Sequence, residues 1–186
     1  IPPTAERVQG MYQYLDRAPQ DVVAELAPRN GEATVERIAI NAVMAGCRPE
    51  YMPLLVTAVQ AVAEEPFNLN GIRSTTHPCG VSVLVNGPLA RGININGGYN
   101  CFGKGWRANA TIGRAMRLFL PNIGGGTPGI LDRATMGSPA KYSFCFAERV
   151  EENPWGETLA MQRGFDAGQS TVTLCGVEGP HNVNDH

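Results

Sequence analysis

The densest run of chemically capable side chains lies at residues 179–186, Gly-Pro-His181-Asn182-Val-Asn-Asp185-His186, with two His, one Asp and two Asn within six positions. The chain has only three histidines, and the third, His77, sits in a second polar segment, Thr75-Thr-His-Pro-Cys-Gly80. Imidazole beside carboxylate and amide is proton-transfer machinery near neutral pH. The same set also ligates a divalent metal through nitrogen and oxygen. The spacing matches no strong zinc signature. The residues therefore nominate His77, His181 and Asp185 for acid–base catalysis, and His77, His181 and His186 as ligands should a divalent metal ion be the cofactor. Cys79 adds a thiol two residues after His77, or is simply a small buried residue beside a turn.

A second segment, Gly98-Tyr-Asn-Cys-Phe-Gly-Lys-Gly105, nearly has the spacing of a phosphate loop. It lacks the closing Ser or Thr, and Gly-Ile-Asn-Ile-Asn-Gly precedes it where a hydrophobic strand belongs, so nucleotide hydrolysis is disfavoured. A Gly-rich loop feeding a helix start still offers free N–H groups to an anion. Lys104 and Arg107 stand at that start and Arg114 lies two turns on, so all three are expected to hold a carboxylate or phosphate, with Asn86, Asn109 and Asn182 orienting it. In a third segment, Glu148 ends the run Lys141-Tyr-Ser-Phe-Cys-Phe-Ala, a position suited to a general base. Glu151 and Glu152 follow, and an acidic surface turn is the competing reading. Trp155, in Asn-Pro-Trp-Gly, reads as a docking residue or as a lid on the core.

The elements that must position these groups follow from periodicity. Residues 5–16 and 20–27 read as short helices bounded by Pro19 and Pro28. Val35, Ile38, Ala39, Ala42 and Val43 recur at helical spacing, with Thr34 as N-cap and Gly46 as stop. A helix at about 50–64 completes a hairpin around Cys47–Pro49. Residues 72–76 are β-prone, and 81–85, Val-Ser-Val-Leu-Val, read as a buried strand. A third helix at about 106–120 ends at Pro121. Residues 142–147 alternate aromatic and small, a half-buried strand with Cys145 facing away from the rings. Residues 171–177 form a last strand. The expected fold is α/β or α+β, a layered helix–sheet domain with long Gly/Asn/Pro-rich loops. It forms one domain over 1–186, helical at about 1–66 and mixed at about 67–186.

Composition narrows the function classes. Of 186 residues 43% are hydrophobic, enough for a core. Only 17% are charged, which suggests surface covered by a partner, and the net charge of -2 gives no basic excess for nucleic acid. The cations are 13 Arg and 2 Lys, in keeping with either a GC-rich genome or bidentate anion clamps. No run reaches a membrane span, and no signal peptide is evident. The five Cys are widely spaced and lack C-x-x-C, the pattern of reduced thiols in a cytoplasmic protein.

Several phrases occur together: Ala39–Tyr51, Thr75-Thr-His-Pro78, Asn86-Gly-Pro88, Arg107-Ala-Asn-Ala-Thr-Ile-Gly-Arg-Ala115, Tyr142–Glu148 and Pro180–His186. Together they resemble the N-terminal half of a little-characterised bacterial family associated with proteins bearing a U-G-S-C or C-G-S-C redox motif. The resemblance implies continuation into a second domain beyond His186. The chain itself contains no such motif, which argues against a selenol or thiol redox role for it. The absent initiating Met and the ending inside a polar cluster lead to the same expectation, one part of a larger assembly with a second, different chain at the boundary. The residues thus point to an enzyme subunit acting on a small anionic organic substrate. The step would be of lyase or hydrolase type, with histidine or metal participation, in one pocket gathered from the loops at 75–80, 86–88, 97–107 and 180–186. The alternative is a non-catalytic structural subunit completing a redox-active partner.

Overall fold

The fold is seen in a computed structural model, which describes residues 1–181 and 183. The sequence expectations for Asn182, Asp185 and His186 lie outside the described residues. The order of elements is α1 (Ala5–Gly10), β1 (Val22–Leu26), β2 (Gly31–Thr34), α2 (Val35–Ala45), α3 (Met52–Ala63), α4 (Leu69–Arg73), β3 (Gly80–Asn86), α5 (Pro88–Gly92), α6 (Arg107–Asn122), β4 (Cys145–Ala147), α7 (Leu159–Gln162) and β5 (Thr171–Val177). Helix and sheet are mixed and layered, as expected for an α/β or α+β domain.

Helices α2, α3 and α6 pack on one another, and α3 also touches both sheets. The reason is its composition. Met-Pro-Leu-Leu-Val-Thr-Ala-Val-Gln-Ala-Val-Ala is apolar almost all round, as befits a helix packed against two helices and both sheets. Leu55, Val59 and Val62 are fully buried with Ile38, Ile112, Met116, Phe119 and Val83. Helix α2 has the expected caps. Thr34 accepts from the Arg37 N–H, and Gly46 stops the helix at φ 91°, a conformation that suits glycine.

The sheet that organises the rest has the order β4-β3-β5. Strand β3 runs parallel to β4, with Val83 opposite Cys145. It runs antiparallel to β5, with Gly80 opposite Val177 and Asn86 opposite Thr171. Phe102 packs edge-on against Phe144 and Phe146 at 5.0 and 5.1 Å, while Cys145 is buried on the other face of β4.

Five local expectations are corrected. Residues 20–27 are not helical: β1 pairs with β2 in an antiparallel hairpin turned at Asn30 (φ 51°), and Leu26 is wholly buried. The region 1–66 is therefore not purely helical. The β-branched pair Val22-Val23 favours a short strand, and pairing with Gly31–Thr34 completes it. Residues 5–16 shorten to α1 and one 3-10 turn at Met11–Tyr14. The β-prone stretch at 72–76 is not a strand: its first two residues end α4, which the Asn68 side chain caps by accepting from the Gly71 N–H, and residues 74–76 form bends. The strand at 142–147 shrinks to Cys145–Ala147, since the Ser143 hydroxyl donates to the carbonyls of Asn109 and Ala110 and pins the approach to α6. Helix α6 also runs past the expected stop, carrying Pro121 in its last turn.

Candidate functional site

Strand β3 separates the polar loops instead of gathering them. His77 precedes its first residue, and Asn86 is its last. Seven residues of strand span roughly 20 Å. Because β5 is antiparallel, Glu178 and His181 leave at the His77 end, while Thr171 enters at the Asn86 end. The single pocket expected from the loops at 75–80 and 86–88 is therefore corrected: they stand at opposite ends of one strand. The loop at 97–107 goes with Asn86, since the Ala147 N–H donates to the Asn96 carbonyl.

A cleft of about 690 Å³ opens beyond the C-terminal ends of the parallel strands β3 and β4, with Asn86, Asn96, Gly98, Trp106, Glu148 and Arg149 among its walls. Ligands of open α/β sheets bind in this place, where successive loops diverge. The Asn86 Nδ2 donates to Glu148 Oε2 at 2.6 Å. The same carboxylate accepts the Leu159 N–H at 2.9 Å, one of the free donors at the start of α7. Asn153 Nδ2 approaches its other oxygen at 3.5 Å. Asn86 is 3% exposed, and its Oδ1 has no hydrogen-bond partner. The hydroxyl of Thr171, its cross-strand neighbour, is also buried without one.

The Gly/Asn loop forms one wall of this cleft. Asn109, on α6, accepts the Asn96 N–H through Oδ1 at 2.9 Å and donates through Nδ2 to the carbonyls of Asn96 and Cys101 at 2.8 and 3.2 Å. Its amide is fully engaged with backbone, which corrects the expectation that it binds substrate directly. Gly97 lies so close to the Ala147 carbonyl that a Cβ there would overlap it. The Asn-rich run was visible in the sequence, but its role in pinning a loop onto a helix was not.

Around α6 the anion clamp is also corrected. Arg107 spends Nε and Nη2 on the Gly46 carbonyl at 3.1 and 3.0 Å, closing the C-terminus of α2. Lys104 is exposed. Its loop is held by the Asn100 Nδ2 bond to the Lys104 carbonyl, and no strand leads into it as a phosphate loop would require. Arg114 faces a different place, a groove of about 980 Å³ between α6 and the loop at 128–142.

At the other end of β3, His77 Nδ1 and Glu178 Oε1 are 2.6 Å apart on an exposed surface. This dyad borders the 135–138 loop: the Thr135 N–H donates to the Thr76 carbonyl, and the Ser138 hydroxyl donates to the Pro78 and Glu178 carbonyls. His181 is exposed. Among the described residues no group of three or more His, Cys, Asp or Glu is placed to hold a metal ion. All five cysteines are free. Burial raises the Cys47 thiol to about 12 and lifts the wholly buried Cys145 further, so neither is a ready thiolate. Trp155 is 81% exposed at the tip of the loop beside the cleft, not a lid on the core. No helix among the described residues is long and apolar enough to cross a membrane. Comparison with protein-family models, with curated proteins and with solved structures finds no match for this chain.

Proposed function

We propose that the chain is an enzyme subunit that takes a small organic molecule into the cleft at the C-terminal ends of β3 and β4, for a lyase- or hydrolase-type step with Glu148 as the proton-handling group. The observation that carries this reading is the buried Asn86 amide. Its Nδ2 bond to Glu148 fixes its orientation, because the flipped amide would set oxygen against carboxylate. Oδ1 is thereby left as a buried acceptor without a donor, a cost of about 1–3 kcal/mol. A hydroxyl, ammonium or amide N–H of a ligand would remove that cost and would lie beside Glu148, within reach of proton transfer. Arg91 and Arg149 at the mouth supply charge for an anionic group on the same molecule. Histidine chemistry is not assigned to this cleft, since His77 belongs to the far end of β3.

The test is an NMR titration of the intact chain with a library of polar fragments. The expected result is shifts at the Asn86 side-chain amide, Gly98 and Leu159, with affinity falling about tenfold in Glu148→Gln, as for a lost charge-assisted hydrogen bond. A library that shifts only resonances outside this cleft would overturn the proposal.

A second reading, a structural subunit that completes a redox-active partner chain, draws support from β5. Among the described residues no strand pairs with its outer edge, and a seven-residue open edge invites another chain. A stable monomer by size-exclusion chromatography with mass detection, binding cleft ligands unaided, would remove it.

A further inference from the structure

Five of the chain's 15 cationic side chains line two adjoining cavities that share one carboxylate, Asp132, toward the N-terminal end of β3, in a protein whose net charge is -2. Asp132 Oδ2 accepts from Arg117 Nη2 at 2.9 Å and its Oδ1 from Lys141 Nζ at 2.6 Å. These side chains are 7, 19 and 10% exposed, so the triad is part of the packed structure. It forms the floor of the groove between α6 and the 128–142 loop, with Arg114 and Arg133 along its sides.

Behind the floor lies Arg73, 3% exposed. Its Nη1 donates to the carbonyls of Ala27 and Leu120 at 3.1 and 2.8 Å, but Nε and Nη2 have no partner. Gly126 packs directly on the guanidinium, leaving no room for a Cβ. A cavity of about 20 Å³, room for one water, lies among Arg73, Arg117, Lys141 and Asp132. Burial and then repulsion from Arg117 lower the Arg73 pKa to about 10, against the attraction of Asp132, so Arg73 is still charged at neutral pH. One carboxylate therefore answers three cations in the floor and directly behind it. Buried cations call for counter-charge, and the described residues contribute a single carboxylate here. On the groove's rim, Met136 and Tyr142 are 95% and 71% exposed.

We infer that this groove binds a small molecule carrying a phosphate or carboxylate group on an apolar body, the anion toward Arg114, Arg117 and Lys141 and the body against Met136 and Tyr142. The site is distinct from the Asn86–Glu148 cleft and stands or falls without it. Calorimetric and NMR titrations of the intact chain with inorganic phosphate, and separately with citrate, test it. The expected result is saturable binding of at least one of them, with shifts at Arg114 and in residues 132–136. Arg114→Ala weakens it about tenfold, whereas Arg17→Ala, on an exposed N-terminal segment, leaves it unchanged. Binding of phosphate but not citrate, or the reverse, identifies the anionic group. Failure of both probes, or an equal loss in Arg17→Ala, would overturn the inference.

Discussion

The two ends of β3 are built from different chemistry. At the C-terminal end, amides do the work: Asn86 holds Glu148, Asn109 holds Asn96, and the backbone of α7 holds the same carboxylate. At the N-terminal end, charges do: Asp132 holds Arg117 and Lys141 over the buried Arg73. Amide networks are neutral and directional, so they fix a shape and leave specific orphan atoms for a ligand. Charge clusters are less demanding of angle and leave a field instead. The cleft is thus suited to reading the donors of a ligand and the groove to attracting its charge. The strand between them lets each end be damaged separately.

The largest expected effect belongs to the charged end. Asp132→Ala strands two poorly exposed cations beside Arg73 and is expected to cost about 3–5 kcal/mol in urea denaturation. Acid should act through the same group. Burial alone would raise the Asp132 carboxyl, but hydrogen bonds from Lys141, Arg117 and the Ala134 N–H outweigh it, and the pKa falls below the usual 3.8. The unfolded chain then binds its proton first. The stabilisation is complete above about pH 4 and is lost as pH falls through the depressed value. Urea midpoints between about pH 5 and about pH 2 should fall more steeply for wild type than for the variant. Parallel slopes would mean that Asp132 is not the group responsible.

Asn109→Ala separates the ends from the other side. It removes three bonds that pin the Gly/Asn loop and leaves the Asn96 N–H and the Cys101 carbonyl unmet, while the Asn96 carbonyl keeps only the Ala147 N–H. A loss of about 1–3 kcal/mol is expected. Fragment shifts at Gly98 should disappear, while phosphate affinity in the groove holds. If the groove weakens equally, the two ends are coupled through α6 and do not act independently.

Much of the scaffold was legible because its signals are local. Thr34, Gly46 and the apolar stripe of α2 define that helix without help from the rest of the chain, and Val81–Val85 could hardly be anything but a buried strand. The hairpin at 22–34 was not legible, because its strands form by pairing across a turn at Asn30 and carry too few residues to show alternation. Asn86 and Glu148 were nominated separately, from a loop and from a strand end. The parallel pairing of β3 with β4 brings them together, and that pairing is non-local. Asp132 and Arg73 went unnoticed for the same reason, since each is unremarkable in its own segment. Sequence proximity also misled: His77 and Asn86 are close along the chain, yet an extended strand is the conformation that drives them furthest apart.

Arg107 offers the smallest effect and the most direct contrast between a helix-start anion site and the groove. Its position at the start of α6, after Gly103-Lys104-Gly105, suggests an anion clamp. Its guanidinium instead places two donors on the Gly46 carbonyl, where α2 ends with unmet acceptors and the negative pole of its dipole. Arg107→Ala is therefore expected to lower stability by about 1 kcal/mol, the worth of a charged cap, and to leave phosphate affinity unchanged. Arg107→Lys should recover only part of the loss, because an ammonium cannot reproduce the planar fork. Thermal melts of the three proteins, with and without phosphate, distinguish the cases. Were Arg107→Ala to weaken phosphate as much as Arg114→Ala does, the anion would sit at the helix start and not in the groove, and the assignment of the two ends would have to be redrawn.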